Sequence, residues 1–223
     1  AQPGLGDRRR AALADFPRGG VVSLAISESG TNGCADWQNP VIGEHGLEFG
    51  YEAHRRELTR LTRKSLARVV QKPVASDSVV QLYRANAALI RDRLRPMLSP
   101  DMNVFTHNPW GEYGHEEHIQ LFRVLDGLRE EIGFTLWMSN YCTERALPLA
   151  MRYFQEKPGS YLRLPVDKEF AEAIARVYRR HDCWTWIDDW AWFDEECFME
   201  APRAPSGVTA HSHLFPLNFF AIG

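Results

Sequence analysis

The sequence predicts an α/β fold in which helices cover both faces of a mostly parallel sheet. Short apolar runs bounded by turn-forming residues alternate with longer runs whose apolar residues recur at helical spacing. The chain has 223 residues and is 44% hydrophobic, which is enough for one sizeable core. No internal repeat or low-complexity linker divides it. We therefore expect a single domain over residues 1–223, with an aromatic-rich extension from about residue 181.

The pattern in the first half of the chain predicts one strand and three helices. Residues 8–16 predict a short helix that ends at Pro17. Residues 21–26 are β-branched and bounded by glycine, as a buried strand is. The turn-rich loop that follows either faces a cleft or is ordinary surface. Residues 51–70 and 78–97 place apolar side chains at helical spacing and predict two long helices.

The second half of the chain repeats the alternation of strand and helix patterns. Apolar runs of a few residues predict strands, and runs with apolar residues every three or four positions predict helices. In order, these are strand 103–106, helix 115–131, strand 134–138, a weak helix 143–156, strand 161–164 and helix 168–180. Asp167 is a suitable N-cap for the last helix, because its carboxylate can accept free backbone N–H groups.

The charge balance argues against several kinds of partner. The formal net charge is -3, so there is no basic excess to attract nucleic acid or an anionic membrane surface. No window approaches the roughly 18 consecutive apolar residues of a membrane span, and no signal-peptide pattern opens the chain. The four cysteines are scattered and form no Cys-x-x-Cys pair. These features predict free thiols and a cytoplasmic location.

The segment with the most chemistry, residues 106–118, lies between strand 103–106 and the helix that follows. It contains His107, His115 and His118. Ligands of α/β proteins collect at the carboxyl ends of strands. His115 and His118 are three residues apart at a helix start, so they share one face and can act as a metal ligand and an acid or base. Catalytic zinc takes three protein ligands and a water. The alternative is an ordinary solvated first turn.

The order of elements around this segment resembles the second signature of the PIG-L/LmbE family of metal-dependent N-deacetylases. The match consists of a strand, Thr106-His107, a short loop, the run Gly-Glu-Tyr-Gly-His-Glu-Glu-His over 111–118, and an apolar helix. Residues 21–30 resemble the family's second strand and loop, and Arg55-Arg56-Glu57 resembles part of its next helix. The resemblance covers roughly residues 10–140 and implies a three-layer, Rossmann-like domain.

The resemblance also implies a role for each matched residue. His118 would be a metal ligand, and His115 would stabilise the oxyanion or protonate the leaving amine. Tyr113 would contact the substrate carbonyl. Substrate-binding or supporting roles fall on four further residues, Arg55, Arg56, Glu112 and His107. The implied reaction is the zinc-dependent hydrolysis of an N-acetyl amide on a small-molecule glucosamine-type sugar or a glycoconjugate.

The family's first signature, His-Pro-Asp-Asp at the end of the first strand, has no counterpart in this sequence. In the family it supplies two metal ligands and the general base. Three explanations are open: a segment upstream of Ala1, a non-catalytic carbohydrate-binding or scaffold member of the fold, or a rebuilt site. The candidates for a rebuilt site are Glu28, Asp36, His45, His211 and His213.

The segment after residue 181 combines tryptophans with acids. Its tryptophans are Trp184, Trp186, Trp190 and Trp192. Such residues either pack against each other and the core or form platforms for sugar rings, and packing is the favoured interpretation. The acids at 188–189 and 194–196 predict a solvated face rather than a metal site. Cys183 beside His181 is weak evidence for a nucleophile, because sequence adjacency does not provide the required geometry.

Overall fold

A computed structural model describes residues 4–38, 40–49, 75–156, 160–201 and 218–219. The helices in these ranges are α1 (Leu5–Ala12), α2 (Asp77–Leu94), α3 (Glu116–Ile132), α4 (Leu147–Glu156) and α5 (Lys168–Arg180). Single 3-10 turns follow α1 at Leu13–Asp15 and α2 at Arg95–Met97. The strands are β1 (Ile42–Gly43), β2 (Gly46–Leu47), β3 (Asn103–Thr106), β4 (Thr135–Ser139), β5 (Tyr141–Cys142), β6 (Tyr161–Pro165), β7 (Glu195–Glu200) and β8 (Asn218–Phe219). The prediction that the fold combines helices with a sheet is confirmed.

The main sheet has the strand order β3-β4-β7-β6. β3 runs parallel to β4, with Val104 opposite Leu136, whereas β4 and β7 are antiparallel, with Met138 opposite Met199. Two small sheets pair β1 with β2 and β5 with β8. The hydrogen bonds from the N–H of Glu200 to Ser160 and from the N–H of Val166 to Asp194 make β7 and β6 antiparallel as well. The main sheet is therefore mixed and mostly antiparallel, and the prediction of a mostly parallel sheet is wrong for the described strands. The three-layer, Rossmann-like arrangement stays a prediction.

Strand β7 explains much of this difference. Its acids made residues 194–196 resemble a solvated run, but the strand alternates, with Cys197 and Met199 buried. That alternation is the period-two pattern of a strand with one face on the core. β7 lies between β4 and β6 in the sheet, so it supplies an antiparallel neighbour where a parallel strand was expected.

The chain divides into two compact units. The first contains residues 1–27 and 163–196, and the second contains residues 28–162 and 197–223. In the first unit, Ala12, Val177 and Cys183 form a small buried cluster. The carboxylate of Asp167 accepts the backbone N–H of Phe170 at 2.9 Å, which confirms the predicted cap of α5. The prediction of one domain over the whole chain stays a prediction.

The core of the second unit lies between α3 and the sheet. Ile119 and Leu128 on α3 and Leu136 and Met138 on β4 are fully buried. Each such side chain contributes about 1.5–3 kcal/mol through burial. Trp110 is also fully buried, and its Nε1–H donates to the carbonyl of Tyr141 at 2.7 Å. The segment that enters α3 is therefore fixed to the core before the helix begins.

The predicted strand over residues 21–26 is absent. These residues form no strand, and Val21 and Val22 are 45% and 64% exposed. A β-branched run favours a strand only where a sheet surface is available for packing, and here that burial is missing. The predicted helix over 51–70, with Arg55 and Arg56, lies outside the described residues, as do His211 and His213.

All four cysteines are free thiols. Cys34 is partly exposed, and Cys142, Cys183 and Cys197 are buried. Burial raises the pKa of the Cys142 thiol to about 11, so this thiol is protonated and inert at neutral pH. Within the described ranges, no helix combines the length and apolar character required to cross a membrane.

Candidate functional site

The loop between β3 and α3 is closed by a tight turn at Gly111. The φ angle of Gly111 is +70°, and a Cβ atom there would lie 2.6 Å from the carbonyl oxygen of His115. Only glycine fits such a position without strain. The Gly111 carbonyl accepts the backbone N–H groups of Gly114 and His115 at 2.9 and 3.0 Å. The turn leaves Glu112 and Tyr113 beside the first turn of α3.

The carboxylate of Glu112 lies at the centre of the site. Its Oε1 accepts hydrogen bonds from Nδ1 of His107 at 2.9 Å and from the hydroxyl of Ser139 at 2.6 Å. Its Oε2 accepts a hydrogen bond from Nδ1 of His118 at 2.8 Å. The carboxylate thus joins the end of β3, the end of β4 and the start of α3.

The backbone of Glu112 is strained and is held on both sides. Its φ angle is +58°, and a left-handed conformation of a residue other than glycine costs about 1 kcal/mol or more. The N–H of Glu112 donates to Oδ1 of Asn108 at 2.9 Å, and its carbonyl accepts the N–H of Thr143 at 3.1 Å. Strain of this kind persists where the surroundings over-determine it, and it concentrates at functional sites.

The buried carboxyl of Glu112 is ionised. Burial alone would raise its pKa, but the hydrogen bonds from His107 and His118 outweigh burial and hold the pKa of Glu112 well below its usual range. A carboxylate only accepts hydrogen bonds, so Nδ1 of each histidine carries a proton. Burial lowers the pKa of His118 to about 4. Its ring is therefore neutral near pH 7, and its Nε2 holds a lone pair.

Three histidine rings and Tyr113 pack side by side at this carboxylate. The rings of His107 and His118 are stacked, with centroids 3.7 Å apart and planes 11° apart. The rings of His115 and His118 are stacked at 4.6 Å. The hydroxyl of Tyr113 lies 3.5 Å from Nε2 of His118. The structure thus brings together five of the residues singled out in the sequence: His107, Glu112, Tyr113, His115 and His118.

One group in the described part of the chain has the compactness of a metal site. It consists of His107, Glu112 and His118, whose ligand atoms all lie within 4.8 Å of one another. Two imidazoles and a carboxylate are ligands that zinc accepts. From the sequence, His118 is predicted as a ligand, whereas His107 and Glu112 have only substrate-binding or supporting roles. The structure makes them equal candidates for ligation.

The other sequence candidates for a metal site do not join this group. Glu28, Asp36 and His45 are described, and none belongs to it. In the first unit, Asp194 is paired with Lys168 at 2.5 Å and Glu195 with Arg163 at 3.4 Å, as expected of a solvated acidic face.

Sequence reasoning missed the buried carboxylate of Glu116. Its side chain is fully buried, and its Oε1 accepts hydrogen bonds from the N–H groups of Gly33 and Ala35 and from Nε1 of Trp37 at 3.1–3.2 Å. Arg145 lies 3.7 Å from the same oxygen and 5.3 Å above the ring of Trp37. The signal was present in the turn-rich loop before residue 37, because its backbone N–H groups required acceptors.

Glu117 holds the beginning of the same loop. Its Oε1 accepts the backbone N–H and the hydroxyl of Ser29 at 2.5 and 2.6 Å. The backbone N–H of Glu117 donates to Nδ1 of His115 at 3.3 Å, so His115 is the N-cap of α3. The first turn of α3 therefore carries the histidines and also anchors the loop 29–37, which supports the interpretation of that loop as a wall of the site.

No protein-family model, curated protein or solved structure matches the chain. The resemblance to the PIG-L/LmbE family rests on the motif residues themselves, and membership of that family stays a prediction. The structure adds that His107 and His118 of the motif share the carboxylate of Glu112.

The stability of the metal-free chain should fall as the pH drops from about 6.5 toward 4. His118 has a pKa of about 4 in the folded chain and an ordinary value of 6.5, so in this window the unfolded state binds a proton that the folded state does not. The free energy of unfolding is therefore highest above pH 6.5, and protonation of His118 in the unfolded state lowers it by up to about 3 kcal/mol as the pH falls to 4. Urea unfolding between pH 7.5 and 4 measures it. His118→Gln should flatten this part of the profile, and an unchanged slope in that variant would contradict the assignment.

Proposed function

We propose that the chain is a zinc-dependent hydrolase that removes an N-acetyl group from a glucosamine-type sugar or glycoconjugate. The observation that carries the proposal is the His107–Glu112–His118 group, with Tyr113 and His115 directly beside it. The group supports a metal site, and the resemblance of residues 106–118 to the PIG-L/LmbE motif supports the reaction class. The Rossmann-like arrangement and the cytoplasmic location belong to the same proposal.

The residues present fit a zinc ion. Two ligands of a tetrahedral zinc lie about 3.3 Å apart at ordinary bond lengths. The Glu112 oxygens lie 2.9 Å from Nδ1 of His107 and 2.8 Å from Nδ1 of His118. In the metal-free chain each Nδ1 carries a proton, so zinc would replace these protons and the proton of each ring would move to Nε2. His107, Glu112 and His118 would hold the ion, and Ser139 would orient the carboxylate from outside. When bound, zinc supplies Lewis-acid activation of the amide carbonyl and of a water.

His115 supplies a hydrogen-bond donor for the reacting amide. Its Nδ1 accepts the N–H of Glu117, so Nε2 is the ring nitrogen that can donate a hydrogen bond. That N–H can stabilise the developing oxyanion. To protonate the leaving amine, the ring would first have to take up a second proton, the one released by the attacking water. The hydroxyl of Tyr113 provides a second donor next to His118. The proposal assigns no general base.

Zinc binding and deacetylation test this proposal together. The purified chain should bind about one zinc per chain, and zinc should raise the Tm. His118→Ala should weaken zinc binding by at least about 10-fold and abolish hydrolysis of an N-acetylglucosamine conjugate. His45→Ala is the matched control, because His45 is a histidine outside the metal group. Absence of stoichiometric zinc, or unchanged deacetylation by His118→Ala, would contradict the proposal.

A further inference from the structure

The first unit carries a cluster of indole rings centred on Trp186. We call Trp184, Trp186, Trp190 and Trp192 the tryptophan cluster. The ring centroid of Trp186 lies 5.5 Å from that of Trp184, 4.9 Å from that of Trp190 and 5.8 Å from that of Trp192. The contacts are tilted or edge-to-face, which are the favourable geometries for aromatic pairs. Trp186 therefore contacts all the other rings of the cluster.

The exposure of Trp186 shows that the cluster is a surface rather than a core. In a packed core, the ring with the most neighbours is the most buried one. Trp186 is instead 50% exposed, and the next residue, Ile187, is 53% exposed. In the second unit, by contrast, Trp37 and Trp110 are buried as core residues are, with 7% and 0% exposure. Packing among the indoles thus explains how the cluster is held, but it does not explain the exposed face of Trp186.

The base of the cluster is fixed by polar contacts. Nε1 of Trp192 donates to Oε2 of Glu172 at 3.3 Å, and Glu172 is paired with Arg179 at 2.9 Å. The guanidinium of Arg179 lies 4.6 Å from the ring centroid of Trp184. Nε1 of Trp184 donates to the carbonyl of Ile187 at 3.4 Å. These contacts hold the rings beneath Trp186, so the exposed ring has a defined support.

Two acids follow directly after the exposed residues Trp186 and Ile187. Asp188 and Asp189 are exposed and follow directly after Ile187, and neither forms an ion pair with another described residue. Of the neighbouring cations, Arg179 is paired with Glu172, Arg180 with Asp15 and Lys168 with Asp194, and Arg9 donates to the hydroxyl of Thr185. An anionic lipid surface or a nucleic acid would be repelled here. The face suits a ligand with an apolar side, many hydrogen-bond donors and positive charge.

We propose that the tryptophan cluster binds an oligosaccharide that contains free amino sugars, with a pyranose ring against Trp186 and its ammonium and hydroxyl groups near Asp188 and Asp189. A pyranose presents a face of C–H groups that packs on an indole, and its hydroxyls donate to carboxylates. The ammonium group adds attraction to the acids and to the aromatic face. This inference rests on the proposed function, because removal of an N-acetyl group from a glucosamine-type sugar leaves such an amine.

Binding can be measured without catalysis by using the His118→Ala chain. The probes are a glucosamine hexamer, an N-acetylglucosamine hexamer and cellohexaose, titrated by calorimetry. We expect the glucosamine hexamer to bind most tightly. Trp186→Ala should weaken it by about 10-fold, whereas Trp186→Phe should retain much of the affinity. Phe105→Ala is the matched control, because Phe105 is an aromatic residue of the second unit with 47% exposure.

The acids have a separate test. The double variant Asp188→Asn, Asp189→Asn should reduce the preference for the glucosamine hexamer over cellohexaose and the salt dependence of its binding. Equal affinities in Trp186→Ala and Phe105→Ala, or no binding of any probe at millimolar concentration, would overturn the inference. So would a change from dimer to monomer in Trp186→Ala, since a second copy would then cover the face. If only the proposed function were wrong, the unmodified chain would show no zinc binding or no deacetylation but would still bind the glucosamine hexamer.

Discussion

Replacing Glu116 with alanine should lower the free energy of unfolding by about 3–5 kcal/mol. The carboxylate is fully buried, and one of its oxygens accepts three hydrogen bonds from the loop 29–37. Alanine would leave two backbone N–H groups and the indole N–H of Trp37 without an acceptor. It would also create a cavity beside α3. Urea unfolding measures the loss, and hydrogen exchange should show faster exchange at Gly33 and Ala35.

Two milder variants separate hydrogen bonding from charge. Glu116→Gln keeps an oxygen in the position of the acceptor, so we expect a smaller loss, about 1–2 kcal/mol. Glu117→Gln changes a half-buried group that holds only Ser29 among the described contacts, and should cost about 1 kcal/mol. A Glu116→Ala chain as stable as Glu117→Gln would contradict the central place that the structure gives to Glu116.

The Glu112→Gln variant should lose zinc affinity by about 100-fold or more, because a ligand is changed and the histidine orientations are disturbed. An amide has one accepting oxygen, whereas the carboxylate accepts from His107 with one oxygen and from His118 with the other. The amide NH₂ would therefore face a ring N–H, and one imidazole would turn away. Competition with a chromophoric chelator measures the affinity.

Ser139→Ala is the control for this prediction. Its hydroxyl donates to Glu112 at 2.6 Å without belonging to the metal group, so we expect a loss of about 10-fold. An unchanged affinity in Glu112→Gln would show that zinc is held elsewhere. Circular dichroism of both variants without metal should show a native fold, because neither change removes a large apolar side chain.

The elements that the sequence predicted well have strong local signals. Helix α5 has Asp167 as a cap and a clear apolar face, and helix α3 follows a glycine-containing turn. Strand β3 is a short apolar run bounded by polar residues. Residues 21–26 carried an equally strong local signal but form no strand, because the tertiary partner that a strand needs cannot be read from its own residues. Strand β7 was missed for the opposite reason: it has partners in the sheet, but its acidic residues made the alternation of buried and exposed positions hard to recognise in the sequence.

The residues of the site also divide into those that a local pattern predicts and those that it does not. His107, Tyr113, His115 and His118 were found because they lie within a single run of the sequence. Ser139 lies 27 residues from its partner Glu112, and the residues of the 29–37 loop lie 79 to 88 residues from their partners Glu116 and Glu117. No local pattern records such pairs. Glu112 was found, but its position between two histidines depends on the left-handed turn at Gly111 and Glu112, which the sequence indicates only through one glycine.

The first turn of α3 both anchors a loop and carries histidines of the site, which has a consequence for protein engineering. Glu116 and Glu117 hold the loop 29–37. On the same turn, His118 donates to the Glu112 carboxylate and His115 stacks on His118. Transplanting the histidine motif alone into another scaffold would leave two acids without their donors. A working graft would have to carry three pieces together: residues 29–37, residues 106–118 and a hydroxyl at the position of Ser139. The smallest portable form of this site is discontinuous.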